Sequence, residues 1–258
     1  MGEDALVFLT GSAVRPEVLT ALRERGRLSL RDLEARLSVS RRTLKRTLGQ
    51  MEGRGWVRPR DGEYELTALG DAMFTAYETF RERERAIRRC RSFLEHTPAD
   101  QFDAGVDALA DVTLVSAESD PSAPVDRIVE IRNAATEIRQ YAPFLFIDTV
   151  RQLADRATGE SPLNATLVLG QALPDNVSAE YREQFEALAA APGVDVYIYP
   201  DGPWLGLGVA DGHAYVGVSD VERVPRALLE GDTPSLVAWV NQQLDRYLER
   251  AEPFALDS

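Results

Sequence analysis

Apolar residues in the first 66 positions recur every three or four residues in three short stretches, a spacing typical of amphipathic helices. Ser29 and Ser40 are N-caps for the second and third stretch, and Asp32 stands at the acidic position of a capping box. Two short strands around Asp61 and Gly62 predict a hairpin. The apolar positions of the helices are Val14, Val18, Leu19 and Leu22, then Leu30, Leu33 and Leu37, then Leu44, Leu48 and Met51. This order of three helices and a hairpin is that of a winged helix-turn-helix, which we place in residues 1–66.

The segment that follows predicts a long helix. No proline occurs from residue 67 to residue 95, and apolar residues recur at alternating spacings of four and three, interrupted only by Arg83. We assign residues 67–96 to a connector and dimerisation helix, because such a stripe is typical of helices that pair with a second copy. The pairing residues would be Met73, Phe80, Ile87 and Leu94. The alternative is that the stripe packs on the C-terminal domain of its own chain.

Beyond the connector, short apolar runs without polar alternation predict strands of a sheet that is covered on both faces. These runs are residues 112–115, 144–147, 166–169 and 194–199, and helical patterns at 125–139, 148–157 and 179–190 lie between them. A hairpin at 205–218, a strand at 227–229 and a last helix capped by Thr233 complete the order. The alternation of strands and helices predicts an α/β domain in residues 97–258, so the whole chain is of the mixed α+β and α/β class.

The charge is divided unevenly along the 258 residues. The net charge of -13 argues against a nucleic-acid partner, but residues 1–95 carry 19 basic and 15 acidic groups, and the remainder carries 10 basic and 27 acidic groups. Lys45 is the only lysine among the 29 basic residues. An acidic chain that uses arginine in place of lysine indicates a halophilic protein of a salt-rich cytoplasm.

Several classes of protein are excluded by what the sequence lacks. No apolar run is long enough to span a membrane, and the acidic N-terminus is unlike a signal peptide, so we expect a cytoplasmic protein without a membrane partner. A single cysteine, Cys90, forms no internal disulfide, and His96 and His213 are the only histidines. We therefore expect neither a metal site nor a cofactor.

Basic residues are concentrated on the third helix, where a helix-turn-helix contacts DNA. Arg42, Lys45 and Arg46 lie opposite the apolar face, and Ser40, Arg41 and Thr43 occupy the N-terminal end, which points at base edges. Arg58 and Arg60 belong to the wing and are placed to contact phosphate. The pattern predicts binding to double-stranded DNA. The alternative is an adaptor that uses the winged helix to contact protein.

Longer motifs resemble a known family. Residues 9–15, 39–44, 55–57 and 64–70 are similar to archaeal, especially haloarchaeal, winged-helix transcriptional regulators. Residues 206–211 and 226–232, with Trp239 and residues 247–252, resemble the effector-type middle domain of the methanogenesis regulator, which is related to TrmB-like regulators. Together with the apolar stripe of the connector, the resemblance leads us to predict a homodimeric transcriptional regulator whose second domain senses a small molecule or mediates assembly.

The same resemblance implies a C-terminal fold similar to the phospholipase D superfamily, whose enzymes use a His-x-Lys pair. This chain lacks the pair, because Lys45 is on the third helix and His213 is followed two residues later by Tyr215. We therefore expect a non-catalytic domain and not an enzyme.

The candidate ligand-binding residue of this domain is Trp204, in a loop after a strand, with His213, Arg132 and Tyr141 as weaker candidates; a structural role is the alternative for each. For Cys90, a redox sensor in the pairing stripe and a buried packing residue are the two alternatives.

Overall fold

The structure is a computed structural model that describes residues 4–144, 147–159, 163–170, 178–200 and 202–254. The chain divides into two compact units, Met1–Glu84 and Arg85–Ser258. Each unit has its own apolar core.

The first unit is a winged helix. Its elements in chain order are α1 (Ala5–Thr10), α2 (Val14–Arg25), β1 (Arg27–Ser29), α3 (Leu30–Leu37), α4 (Arg41–Gly53), β2 (Val57–Arg60), β3 (Glu63–Leu66) and the start of α5 (Ala68–Arg89). The three strands form an antiparallel sheet in the order β1-β3-β2. The three predicted helices and the hairpin are confirmed, whereas α1 and β1 were not predicted.

Local sequence explains the ends of these elements. The Ser29 hydroxyl accepts a hydrogen bond from the Asp32 backbone N–H, and the Asp32 carboxylate accepts one from the Ser29 N–H, so the predicted capping box is present. Asp61 and Gly62 have φ of 51° and 84°, as the tight turn between β2 and β3 requires. A Cβ at Gly70 would lie 2.0 Å from the carbonyl oxygen of Trp56. The first turn of α5 therefore packs directly on the backbone of the wing.

The connector differs from its prediction. Helix α5 ends at Arg89, and a separate short helix, α6 (Arg91–His96), follows Cys90. Cys90 and Phe93 are fully buried in the core of the second unit, and Leu94 packs against that core. The break between the two helices therefore coincides with the point where the chain enters the core of the second unit. The predicted continuous helix over 67–96 is wrong in this respect, and Leu94 is not on the same helix as Met73, Phe80 and Ile87.

The second unit is an α/β fold built on one eight-stranded sheet. After a short 3-10 helix (Val106–Leu109), its elements are β4 (Thr113–Ser116), α7 (Ala123–Ala134), β5 (Glu137–Ala142), α8 (Ile147–Thr158), β6 (Asn164–Leu169), α9 (Ala179–Ala189), β7 (Val194–Ile198), β8 (Gly206–Ala210), β9 (His213–Ser219), β10 (Pro225–Gly231), α10 (Pro234–Leu248) and β11 (Glu252–Pro253). The strand order is β11-β7-β6-β5-β8-β9-β10-β4, with β5, β6 and β7 parallel and the other neighbours antiparallel.

Helices cover this sheet on both faces, so the predicted fold class is confirmed. One core packs α7, α8 and α9 against the sheet, and the other packs α6 and α10 against it. No helix in the described part of the chain is both long enough and apolar enough to cross a membrane.

Three predictions for this unit are wrong in detail. The helix predicted at 125–139 is α7, which ends at Ala134. The strand predicted at 144–147 is instead β5, at Glu137–Ala142, and α8 begins at Ile147; residues 145 and 146 lie outside the described residues. Polar residues at 139 and 140 hid this strand, since Arg139 bonds to Asn241 of α10 and Gln140 is buried. Thr233 occupies the N-cap of α10, but its hydroxyl is buried without a hydrogen-bond partner.

Candidate nucleic-acid interface and ligand cavity

Helix α4 presents an exposed cationic face. Arg42, Lys45 and Arg46 are exposed, and Leu44 and Leu48 on the opposite side are fully buried in the core. Among the described residues no carboxylate forms an ion pair with any of these three cations. The amphipathic spacing of the sequence therefore produces a row of positive charges that is available to a partner.

The N-terminus of α4 is fixed by its cap. The Ser40 hydroxyl accepts a hydrogen bond from the Thr43 backbone N–H at 3.3 Å and lies 3.0 Å from the Thr43 hydroxyl. A guanidinium nitrogen of the exposed Arg41 lies 3.8 Å from the Glu34 carboxylate. Ser40 and Thr43 therefore shape the end of the helix that carries the three free cations.

The two arginines of the wing, Arg58 and Arg60, differ from the cations of α4 because both lie near one carboxylate on β3. The carboxylate of Glu65 accepts hydrogen bonds from Arg58 Nε and Arg27 Nε, both at 2.7 Å, and lies 3.8 Å from Arg60. The hydrogen bond from Arg58 holds the pKa of Glu65 below its usual value. Sequence reasoning missed Glu65, because its role depends on the pairing of β1, β3 and β2.

A cavity of about 110 Å³, open to solvent on one side, lies between α7 and the ends of β5, β8 and β9 in the second unit. Gly206 of β8 and Gly217 of β9 are opposite each other in the sheet and both line the cavity. The absence of side chains at this pair leaves its floor open. A Cβ at Gly208 would lie 2.4 Å from the Tyr215 hydroxyl, so this glycine is required for the Tyr215 ring to lie across β8.

Polar groups meet at the inner end of the cavity. Arg132 of α7 and Tyr215 both line it, and the Nε of Arg132 and the hydroxyl of Tyr215 each donate to the side-chain oxygen of Gln140 at 2.9 Å. Burial raises the pKa of Tyr215, so its phenol stays protonated and donates. Sequence reasoning missed Gln140 and Tyr215. The only sign of either was a polar residue inside an otherwise apolar strand.

Aromatic side chains form the mouth. Trp204 is 47% exposed, and its ring meets that of Phe144 edge to face, with the centroids 5.7 Å apart. The backbone N–H of Trp204 donates to the side-chain oxygen of Gln101 at 3.0 Å. The Tyr141 hydroxyl donates to the carbonyl of Pro203 at 2.9 Å, and burial raises the pKa of this tyrosine. Tyr141 therefore holds the loop that carries Trp204.

His213 lies elsewhere, at a buried carboxylate. Its Nε2 is 3.0 Å from a carboxylate oxygen of Glu230, and Arg127 Nε donates to both oxygens of the same group at 2.8 and 3.0 Å. Burial by itself would raise the pKa of Glu230, but the hydrogen bonds from Arg127 and His213 outweigh it and the pKa is lowered. The structure thus brings Trp204, Arg132 and Tyr141 to one cavity and leaves His213 out of it.

The thiol of Cys90 is fully buried, and burial raises its pKa. A buried, protonated thiol is a poor nucleophile. Of the two alternatives, the structure favours the packing residue over the redox sensor.

Fold and sites together define a two-domain protein, with a winged helix that carries an exposed cationic helix and an α/β unit that holds a cavity. The chain belongs to the family of the middle domain of the methanogenesis regulatory protein FilR1, whose family model matches residues 121–250. Residues 3–89 match the model of the HVO_A0261 N-terminal domain. The resemblance predicted from the sequence motifs is confirmed.

Solved structures of other proteins are similar over large parts of the chain. TrmBL2, described as an archaeal chromatin protein with a novel mode of DNA binding, is 14% identical, with 98% of this chain and 100% of that chain covered and a TM-score of 0.40. NucT from Helicobacter pylori is 12% identical over 56% of this chain and 99% of its own, with a TM-score of 0.43. Nuc from Salmonella typhimurium, a phospholipase D family member, is 15% identical over 57% and 99%, also with a TM-score of 0.43. No curated protein sequence matches the chain.

Proposed function

We propose that this protein is a sequence-specific, DNA-binding transcriptional regulator of a salt-rich cytoplasm, and not an enzyme. Residues 1–66 read the operator, residues 67–96 connect and dimerise, and residues 97–258 sense a small molecule. The observation that carries the proposal is the exposed row of Arg42, Lys45 and Arg46 on α4, none of which has a carboxylate partner among the described residues. A cation that faces water without a partner is available to a phosphate or a base edge.

In this mechanism α4 enters the major groove with its capped N-terminus directed at the base edges. Arg42, Lys45 and Arg46 then supply phosphate contacts and bidentate contacts to guanine. In molar salt the screening length is about 3 Å, so affinity depends on these direct contacts and not on attraction at long range.

Genome-wide occupancy in native salt identifies the operator, and gel shifts on that operator test the role of α4. Arg42→Ala combined with Arg46→Ala is expected to weaken binding at least about tenfold, because each base contact contributes about 1–3 kcal/mol. Arg25→Ala combined with Arg36→Ala removes the same charge from α2 and α3 and is expected to leave affinity within a factor of about three, since surface charges away from the groove contribute little. Equal losses in the two double variants would contradict the proposal.

The homodimer is assigned to the outer face of α5. Leu69, Phe80 and Ile87 are 52%, 43% and 42% exposed, and the exposed alanines 72 and 76 lie between them at helical spacing. Met73 is half-buried against the core of the first unit and borders this face. An apolar stripe of this length on a helix that already packs its opposite side supports pairing with a second copy.

Light scattering tests the dimer. Phe80→Glu and Ile87→Glu place charges on the stripe and are expected to give a monomer, whereas Glu82→Gln, beside the stripe, is expected to stay dimeric. A wild-type protein that is already monomeric would contradict the assignment.

Sensing is assigned to the cavity lined by Arg132, Phe144 and Trp204. An α/β domain commonly binds ligands at strand ends, and the cavity combines an apolar lining with few polar groups. A ligand bound there would change the spacing of two winged helices in a dimer, and therefore operator affinity.

A further inference from the structure

We propose that the cavity of the second unit binds a small organic carboxylate with a ring-sized apolar body, and that Arg132 is the residue that pairs with the carboxylate. This inference rests on the proposed sensing function and names the chemical class of the effector.

The first observation is a buried positive charge without a negative partner. Arg132 is only 8% exposed, and the hydrogen bond from its Nε to Gln140 is to a neutral amide. In the described part of the chain no carboxylate forms an ion pair with it. A buried cation is costly unless an anion compensates it, and the two terminal nitrogens of the guanidinium are the donors that suit a carboxylate.

The second observation is a further unsatisfied donor beside it. The side-chain nitrogen of Gln140 is buried and has no hydrogen-bond partner, although the oxygen of the same amide accepts from both Arg132 and Tyr215. The polar end of the site therefore has donors in excess of acceptors. An incoming group that carries negative charge and accepts hydrogen bonds would compensate Arg132, the cation of this cluster, which lines the cavity.

The other residues that line the cavity indicate the chemistry of the uncharged part of the ligand. Pro143, Phe144, Trp204 and Val218 line the cavity, and the glycine pair at its floor leaves room for a flat group. Arg132 is the one cation among the described lining residues. A single cation matches one carboxylate better than a phosphate dianion, which needs more donors than this lining offers.

Isothermal titration of the full-length protein in molar salt, without DNA, tests the proposal with three carboxylates, namely benzoate, phenylacetate and 4-methylpentanoate. Phenylacetamide serves as the neutral isostere and inorganic phosphate as a second anion. At least one carboxylate is expected to bind at least about tenfold more tightly than phenylacetamide and phosphate. Arg132→Met should reduce carboxylate affinity to the level of the amide. Arg139→Met is the control, since Arg139 bonds to Asn241 and pairs with Asp245, both on α10 and outside the described cavity lining, and it should leave affinity unchanged.

Gly217→Ala narrows the floor without changing any charge. Its Cβ would make only ordinary contacts, 3.7 Å from Leu228 and 3.8 Å from Ile128, so the variant is expected to fold and to bind carboxylates more weakly. Without ligand, the Tm of Arg132→Met should equal or exceed that of the wild type, because the variant removes an uncompensated buried charge.

Four results would overturn the proposal: no binding of any carboxylate, equal binding of acid and amide, preference for phosphate, or a Tm of Arg132→Met well below that of the wild type. Gel shifts on the same proteins keep the two proposals separate. If the wild-type protein does not bind operator DNA, the proposed regulator function is overturned, whereas the carboxylate result is unaffected.

Discussion

The two units of this chain use unpaired cations in opposite surroundings. Arg42, Lys45 and Arg46 of α4 are in water, whereas Arg132 of α7 is enclosed by protein. An exposed cation without a partner costs little, since water solvates it, and a buried one lowers stability until an anion arrives. In the first unit, the lack of a carboxylate partner therefore indicates a surface suited to a polyanion. In the second unit, it indicates a site that is stabilised when an anion binds.

A buried carboxylate with cationic partners provides the contrast within the second unit. The carboxylate of Glu230 accepts from both Arg127 and His213, so its charge is compensated. If the contrast holds, removing this carboxylate lowers the free energy of unfolding, whereas removing the unpaired Arg132 does not.

The largest expected effect is therefore that of Glu230→Gln. The neutral amide loses the paired hydrogen bonds from Arg127, and we expect the free energy of unfolding to fall by about 2–3 kcal/mol, below the full figure for a buried pair because Arg127 is partly exposed. Urea unfolding at constant salt measures the loss. Glu130→Gln is the control, since Glu130 also bonds to Arg127 but is exposed, and it should change stability by less than about 1 kcal/mol. Similar losses in the two variants would remove the contrast between the paired buried charge of Glu230 and the unpaired buried charge of Arg132.

The direction of the pH dependence follows from the lowered pKa of Glu230. A carboxyl whose pKa is lower when folded stabilises the protein above its unfolded pKa and loses that contribution as pH falls through the folded pKa. The wild type should therefore lose part of its stability in acid, and Glu230→Gln should lose less over the same interval.

Sequence predicts those parts of this molecule that depend on near neighbours. Helix periodicity and the capping box of Ser29 and Asp32 act within one turn, so α2, α3 and α4 were found, together with the exposed side of α4. Strand β5 was missed because its central residues are polar, and they are polar because they bond to α10 and to α7. The break after α5 was missed for a similar reason, since Cys90 continues the apolar stripe but packs into the second unit.

The candidate sites show the same limit. Arg132 and Trp204 were identifiable as residue types that bind ligands, but the unpaired state of Arg132 follows from contacts with Gln140 and with a network that reaches Tyr215, 75 residues further along. Glu65 escaped notice because its three arginine neighbours come from β1 and β2. Charges read along a sequence do not reveal which of them are already neutralised.

An intermediate effect is expected at Gly208. In Gly208→Ala the new Cβ would meet the Tyr215 hydroxyl at 2.4 Å and the Arg139 carbonyl at 3.0 Å. We expect a loss of about 1–3 kcal/mol and weaker carboxylate binding, because Tyr215 must move away from Gln140. Gly231→Ala is the control, since its Cβ would be 3.7 Å from Val112, an ordinary contact, and Gly231 is not among the described residues that line the cavity. Matching stabilities and carboxylate affinities in the two variants would contradict the role given to Gly208.

The smallest expected effect concerns the wing, where cations are exposed but already paired. Glu65→Gln releases Arg27, Arg58 and Arg60 from a carboxylate and should make the two wing arginines resemble those of α4. Each arginine that gains a phosphate contact should steepen the dependence of log affinity on log salt by about 0.9. Gel shifts over a range of salt concentrations measure this slope.

Glu63→Gln on the same strand makes the same change in formal charge, and Glu63 forms no ion pair in the described part of the chain. If Glu63→Gln and Glu65→Gln steepen the slope equally, only net charge matters and the pairing of the wing has no functional meaning. If only Glu65→Gln steepens the slope, Glu65 keeps the wing arginines of the wild type from contacting phosphate. Arg42, Lys45 and Arg46 would then make most of the electrostatic contact in the wild-type complex.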